Sequence, residues 1–190
     1  MRENDWTETI KDLINESHLG EGIIAETLVK MPNSNEIVSY DMDFKPKEYK
    51  QTRFETDLLI YEKNHDSIKP RLIIEAKINT VTTHDAITYS YKAEQHKSVT
   101  PYIRYGIMLG NRKHYPLPGR LYRHGTNFDF MAQFRTFEPT EDEISTFLEL
   151  IVKEIQYSRQ MEEMIYSSYS RTRKRYSVLH KDLRLEIMDD

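Results

Sequence analysis

The sequence predicts an α/β protein whose mixed central sheet is flanked by helices and followed by a helical C-terminal extension. Three observations carry this prediction. Short apolar runs bounded by Gly, Pro and Asn recur between residues 37 and 109 and read as strands. A helix-period segment, Thr83 to Lys97, separates the last two of them, so they are joined by a crossover. A third helical stripe follows Pro139-Thr140. Antiparallel strands followed by a helical crossover imply a mixed sheet with helices on both faces.

Trp6 to Met31 reads as helical, because Ile10, Leu13 and Ile14, then Ile23, Ile24 and Leu28, recur at helical spacing. Gly20 and Gly22 predict a break at His18–Gly22, and Pro32-Asn33-Ser34-Asn35 closes the region. Ile37 to Phe44 alternates loosely. Phe54 to Tyr61 (FETDLLIY) and Arg71 to Ile78 (RLIIEAKI) are short apolar runs. The helix over Thr83–Lys97 is capped near Thr83 or His84-Asp85, and Tyr102 to Leu109 is a further buried strand ended by Gly110-Asn111. Arg120–His124 and Phe128–Phe134 predict a hairpin around Gly125-Thr126-Asn127. Thr140 with Glu143 three residues on is a capping-box pattern. Ile144, Phe147, Leu148, Ile151 and Ile155 then form an apolar stripe reaching to about Tyr169, roughly 40 Å at 1.5 Å per residue. The expectation is one domain over residues 1–190, with a core over about 20–135 and a helical extension over about 140–190.

With 190 residues, 31% charged and 38% hydrophobic, the chain can bury a core yet is heavily solvated. No apolar run approaches the roughly 20 residues that span a bilayer, and Met1 to Asp12 has no secretory pattern. A bacterial cytoplasmic protein is therefore expected. The absence of cysteine excludes disulfides, thiolate zinc sites, iron–sulfur clusters and cysteine nucleophiles. The histidines show no HxxxH or HxH pair, which argues against a histidine metal site. Net charge is -4, unevenly spread. Residues 69–135 carry eleven Lys and Arg against four acids, and residues 167–184 six against one. Two basic zones in an acidic chain suit a polyanion-binding face, or simply solvated surface.

The residues with chemistry are Asp57 and Glu75-Ala76-Lys77. Residues two apart in a strand share a face, so Glu75 and Lys77 project together while Ile74 and Ala76 enter the other layer. A carboxylate and an ammonium in an otherwise apolar strand are costly unless paired. Asp57 poses the same problem at the start of Leu58-Leu59-Ile60. If the strands are neighbours, two carboxylates and a lysine converge, which is the set that metal-assisted phosphodiester cleavage needs. Carboxylates hold Mg²⁺, the metal polarises a phosphoryl oxygen and acidifies water, and the lysine acts on that water or on the developing charge. A solvated edge-strand pair is the plain alternative.

Asp57, seventeen residues, then Glu75-Ala76-Lys77 on a strand after a hairpin resembles the PD-(D/E)XK nuclease superfamily. The flanking helices and the strand Tyr102–Leu109 also match that core, so the resemblance covers about residues 20–110. Thr56 stands where the family name has proline. The resemblance implies a restriction-endonuclease-like core and a Mg²⁺-dependent endonuclease acting on double-stranded DNA, with Mn²⁺ as a substitute. It implies Asp57 and Glu75 as metal ligands, the Ala76 carbonyl as a further one, and Lys77 as the catalytic lysine. Gly22-Ile23-Ile24-Ala25-Glu26 looks like the family's first-helix acid element, which makes Glu26 a candidate and Glu21 its runner-up. On the following helix Lys92, Gln95 and His96 share a face, and Gln95, with Lys92, is the expected contact to DNA. Arg171, Arg173, Lys174 and Arg175 are expected on phosphates, although a solvated helix terminus explains them equally well.

No helix-turn-helix or zinc finger is visible in residues 111–190. The chain looks similar to the cleavage domain of type IIS restriction endonucleases and to the small catalytic subunit of heterodimeric nicking enzymes. That implies a larger sequence-reading partner, docked on residues 140–169 or on the surface beside the cleft. A compact homodimer reading DNA with residues 111–135 is the alternative, and a catalytically silent DNA- or partner-binding module is the alternative of another class.

Overall fold

The computed structural model describes residues 1–113, 117–167 and 178–180. The chain runs α1 (Glu3–Glu16), β1 (Ile23–Tyr40), β2 (Pro46–Lys63), β3 (Ile68–Ile78), α2 (Thr83–Val99), β4 (Arg104–Gly110), α3 (Gly119–His124), β5 (Phe130–Gln133) and α4 (Glu141–Tyr166). The five strands form one sheet in the order β1-β2-β3-β4-β5. The first three are antiparallel, while β3, β4 and β5 run parallel. This is the mixed α/β sheet that the sequence predicts.

Strand parity divides the core into two layers. Leu58, Ile60, Leu72, Ile74 and Ala76 pack under Trp6, Ile10 and Ile14 of α1 and Phe147, Ile151 and Ile155 of α4. On the other face Leu59, Ile73 and Tyr105 meet Ala93 of α2, and Ile107 and Leu109 meet Ala86 and Leu121. Trp6 is packed so closely over Gly110 that a Cβ there would lie 2.7 Å from its ring. Both α1 and α4 thus belong to the core. The apolar stripe of α4, expected to receive a partner, is buried on the sheet instead, because a stripe of that spacing adjoining an uncovered apolar sheet face packs there first. No helix among the described residues is long and apolar enough to cross a membrane.

Several elements differ from expectation. The first helix stops at Glu16, and Ile23 to Tyr40 is an edge strand. Residues 23–31 have an ambiguous period, and their eight register pairs with β2 decide it. Gly22, at φ 72°, makes the entry turn; a Cβ there would lie 2.6 Å from the Lys63 carbonyl. Pro32 is tolerated within β1 because β1 is an edge strand, and the register shifts just after it. The hairpin expected at 120–134 is instead α3 followed by β5, parallel to β4. The Asp129 carboxylate accepts the Tyr105 amide at 2.8 Å, and Phe130 fills the space over Gly106. Thr82, one residue earlier than expected, caps α2 in a reciprocal box with Asp85. Thr140 and Glu143 cap α4 in the same way.

Candidate active site

The β2–β3 ladder ends at the pair Leu58–Ile74. Beyond it the strands part, and Asp57 fills the gap: its Oδ2 accepts the Ala76 amide at 2.8 Å. The side chain thus replaces a strand in satisfying a backbone donor. Leu28, between the β1 residues paired with Leu58 and Thr56, has φ 56°. The alternation inverts there: Ala25 belongs to the α1 layer, while Val29 and Met31 pack on the α2 layer. This twist opens a small crevice at Asp57, lined by Asn4, Thr7 and Glu8 of α1 and by Thr27 and Leu28.

Glu75 is fully buried. Its Oε1 accepts from the Tyr105 hydroxyl and lies 3.3 Å from Lys92 Nζ. No donor among the described residues reaches its buried Oε2, and the Asp57 carboxylate stands close enough to share a proton when Glu75 is protonated. Burial, then the neighbouring Asp57 carboxylate, raises the Glu75 pKa to about 7 against the opposing pull of Lys92 and Tyr105. Lys77 Nζ donates to Glu3 Oε1 at 2.6 Å and sits 5.1 Å from the centre of the Tyr89 ring. Burial works to lower the Lys77 pKa, but the Glu3 and Tyr89 contacts outweigh it and raise it. At neutral pH this lysine is an ammonium, suited to stabilise charge or orient water rather than to accept a proton. Lys92 Nζ stands on the same Tyr89 ring, also at 5.1 Å.

The structure therefore brings Asp57, Glu75, Lys77 and Lys92 to one end of β3, with Ala76 joining through its amide. It does not bring Glu26 there on a helix. Glu26 lies on β1 opposite Leu59, is exposed, and accepts from the Tyr61 hydroxyl at 3.3 Å, with no bond to Asp57, Glu75 or Lys77. Glu21 sits in the turn before β1. Both expectations presume a helix where β pairing wins. Gln95 is half-buried and makes no hydrogen bond to these residues; on that helix face Lys92 makes the contact, and His96 is buried with Nδ1 at 2.9 Å from the Pro32 carbonyl. Arg171, Arg173, Lys174 and Arg175 lie outside the described residues.

Four residues escape the sequence reading. Tyr89 and Tyr105 look like packing, yet the first touches both lysines and the second holds Glu75. Two acids come from α1: Glu3 pairs with Lys77, and Glu8, bonded to Lys11 and Thr27, lines the Asp57 crevice. The Trp6-Ile10-Ile14 stripe was the available signal, since it fixes which way α1 faces.

Among the described residues no three His, Cys, Asp or Glu side chains are arranged to hold a metal ion. Asp57 and Glu75 are a two-carboxylate oxygen set. The unpartnered Glu75 Oε2 is a donor suited to a hard cation that completes its shell with water and phosphate. No family model and no curated protein matches this sequence. Among solved structures the chain is similar to that of the pre-specific restriction endonuclease BsaWI in complex with DNA, at 14% identity and a TM-score of 0.46, over 90% of this chain and 68% of that one. A likeness of that degree assigns no activity.

Proposed function

We propose that the chain is a divalent-metal-dependent endonuclease that hydrolyses phosphodiester bonds of double-stranded DNA at Asp57, Glu75 and Lys77. The observation that carries this reading is Glu75, wholly buried beside a second carboxylate with Oε2 unpartnered. A fold gains nothing in stability from such an arrangement. Asp57 and Glu75 would hold a divalent cation, whose charge would offset that cost.

Mg²⁺, or Mn²⁺ in its place, supplies Lewis acidity and an acidified water when bound. The chain's own residues do the rest. Tyr105 fixes Glu75 through Oε1 and leaves Oε2 free. The Ala76 amide fixes Asp57. Lys92, with Nζ 3.3 Å from Oε1, balances the charge of ionised Glu75. Lys77, held by Glu3 and Tyr89, presents an ammonium to the attacking water or to the charge that develops on the phosphoryl oxygens.

Two finer readings lose an element that each relied on. The stripe of α4 is buried on the sheet, and among the described residues Gly119–His124 and Phe130–Gln133 form α3 and β5 rather than the hairpin with which a homodimer would read DNA. The reading as a one-strand cleavage subunit then leaves the surface beside the cleft as its docking place. Plasmid DNA incubated with the purified chain and Mg²⁺ or Mn²⁺ tests the activity. Nicked or linear product from wild type and none from Asp57→Ala is expected. No product with either metal, with or without the proteins of neighbouring genes, overturns it in favour of a silent binding module.

A further inference from the structure

Because β3 pairs with β2 only from Leu58 onward, the outer half of the β1–β2 hairpin has no third strand among the described residues. From about Ser34 to the tip and back to Arg53 it is a two-stranded ribbon with both edges open. The tip turn is closed by Asp41, whose Oδ1 accepts the amides of Asp43 and Lys45. From Arg53 to Lys45 the ribbon extends about 26 Å at 3.3 Å per residue. An isolated ribbon is marginal in water, so this one is built to lie against something.

Its two faces differ. Tyr49, Gln51 and Arg53 follow at two-residue spacing and are exposed, and the exposed Lys47 stands next on the strand, at the register shift where Ser39 and Tyr40 pair with Glu48 and Pro46. Arg53 Nε donates to Gln51 Oε1 at 3.2 Å, as residues on one face can. Asn35 and Ile37 lie directly opposite Gln51 and Tyr49 and join that face. The acids Glu36 and Glu48 fall on the reverse side, Glu36 opposite Lys50. Glu55, at the base of the first face, is opposite Lys30. Lys47 and Arg53 form no ion pair among the described residues. The face thus offers two cations without an ion pair among the described residues, two amides and an aromatic ring, with Arg53 bonded to Gln51 and four residues from Asp57 on the same strand.

We infer that this face is a DNA-reading ribbon. It lies in the major groove of the duplex that enters the Asp57–Glu75 site, with Lys47 and Arg53 toward phosphates and Asn35 and Gln51 toward base edges. A two-stranded ribbon fits that groove, and side-chain amides match the donor–acceptor pattern of adenine there. Two copies of the chain meeting on this face would set Lys47 and Arg53 against cations, which disfavours self-association. The choice of DNA rests on the nuclease reading; the ribbon's role is tested without cleavage.

Fluorescence anisotropy of a 30-base-pair duplex, read in chelator so that no metal contributes, compares wild type with Lys47→Ala/Arg53→Ala. At least tenfold weaker binding is expected. The slope of log affinity against log salt should become shallower by about 2, one unit for each lost phosphate contact. Methylation of guanine N7, a major-groove atom, should interfere with wild-type binding. Unchanged affinity and slope in a variant with the wild-type melting temperature overturn the inference. So does a wild-type dimer that Ile37→Ser dissociates while DNA affinity stays constant. A chain that binds DNA through the ribbon yet never cuts keeps this inference and removes the nuclease reading; a chain that cuts with ribbon-independent affinity does the reverse.

Discussion

The Ala76 amide donates to the Asp57 carboxylate across 2.8 Å, just past the last paired residues of β2 and β3. One bond thereby ends the ladder and fixes a candidate metal ligand. Structure and chemistry at Asp57 are separable by substitution. Asp57→Asn keeps an acceptor for Ala76 and should melt within a few degrees of wild type while losing metal-dependent cleavage. Asp57→Ala orphans the amide and should cost about 1–3 kcal/mol as well. Thermal unfolding and plasmid nicking of the pair check this, and equal melting temperatures would show that the bond carries no stability.

Glu75 should make the metal-free protein pH-sensitive. Its pKa is raised from 4.5 to about 7 on folding, chiefly by burial. The folded state therefore holds its proton more tightly than the unfolded state. The contribution is fully present below pH 4.5, declines as pH rises, and is lost above about 7, a total of about 3 kcal/mol. Glu75→Gln should abolish this slope and melt higher than wild type at pH 8. Added Mg²⁺ should stabilise wild type more at pH 8 than at pH 5, since the cation needs the ionised carboxylate. Melting temperatures across pH, with and without Mg²⁺, measure both effects.

Lys77→Ala should abolish cleavage and leave Mn²⁺ binding within about threefold, because the ammonium is engaged by Glu3 and Tyr89 and is no ligand. Calorimetry on the folded variant decides. Loss of Mn²⁺ binding there would remove the division of roles between carboxylates and lysine.

Tyr105→Phe should act through Glu75. With the hydroxyl gone, Oε1 keeps only Lys92 at 3.3 Å, and the ionised form loses a donor. The pH midpoint of Mg²⁺-induced stabilisation should move upward, with a stability loss of about 1–3 kcal/mol at pH 8. A midpoint that stays in place would mean that the hydroxyl does not tune Glu75.

What the sequence by itself determined is local. The apolar runs around Leu58–Ile60 and Leu72–Ile74, short and bounded by turn residues, pointed to buried strands, as strands covered on both faces carry such runs. The two-residue spacing of Glu75 and Lys77 put them on one side, and Thr140 with Glu143 marked the start of α4. Tertiary structure decided whatever depended on a distant partner. Residues 23–31 carry a period that suits either state, and only pairing with β2 makes them a strand, which is why the acids approaching the site are Glu3 and Glu8 rather than Glu26. Tyr89 and Tyr105 carry no motif, and their hydroxyls and rings acquire a role only where α2 and β4 converge on Glu75 and Lys77. Periodicity reports which side of an element is apolar; what faces that side is set by the sum of packing over the whole sheet, and no short window of sequence contains it.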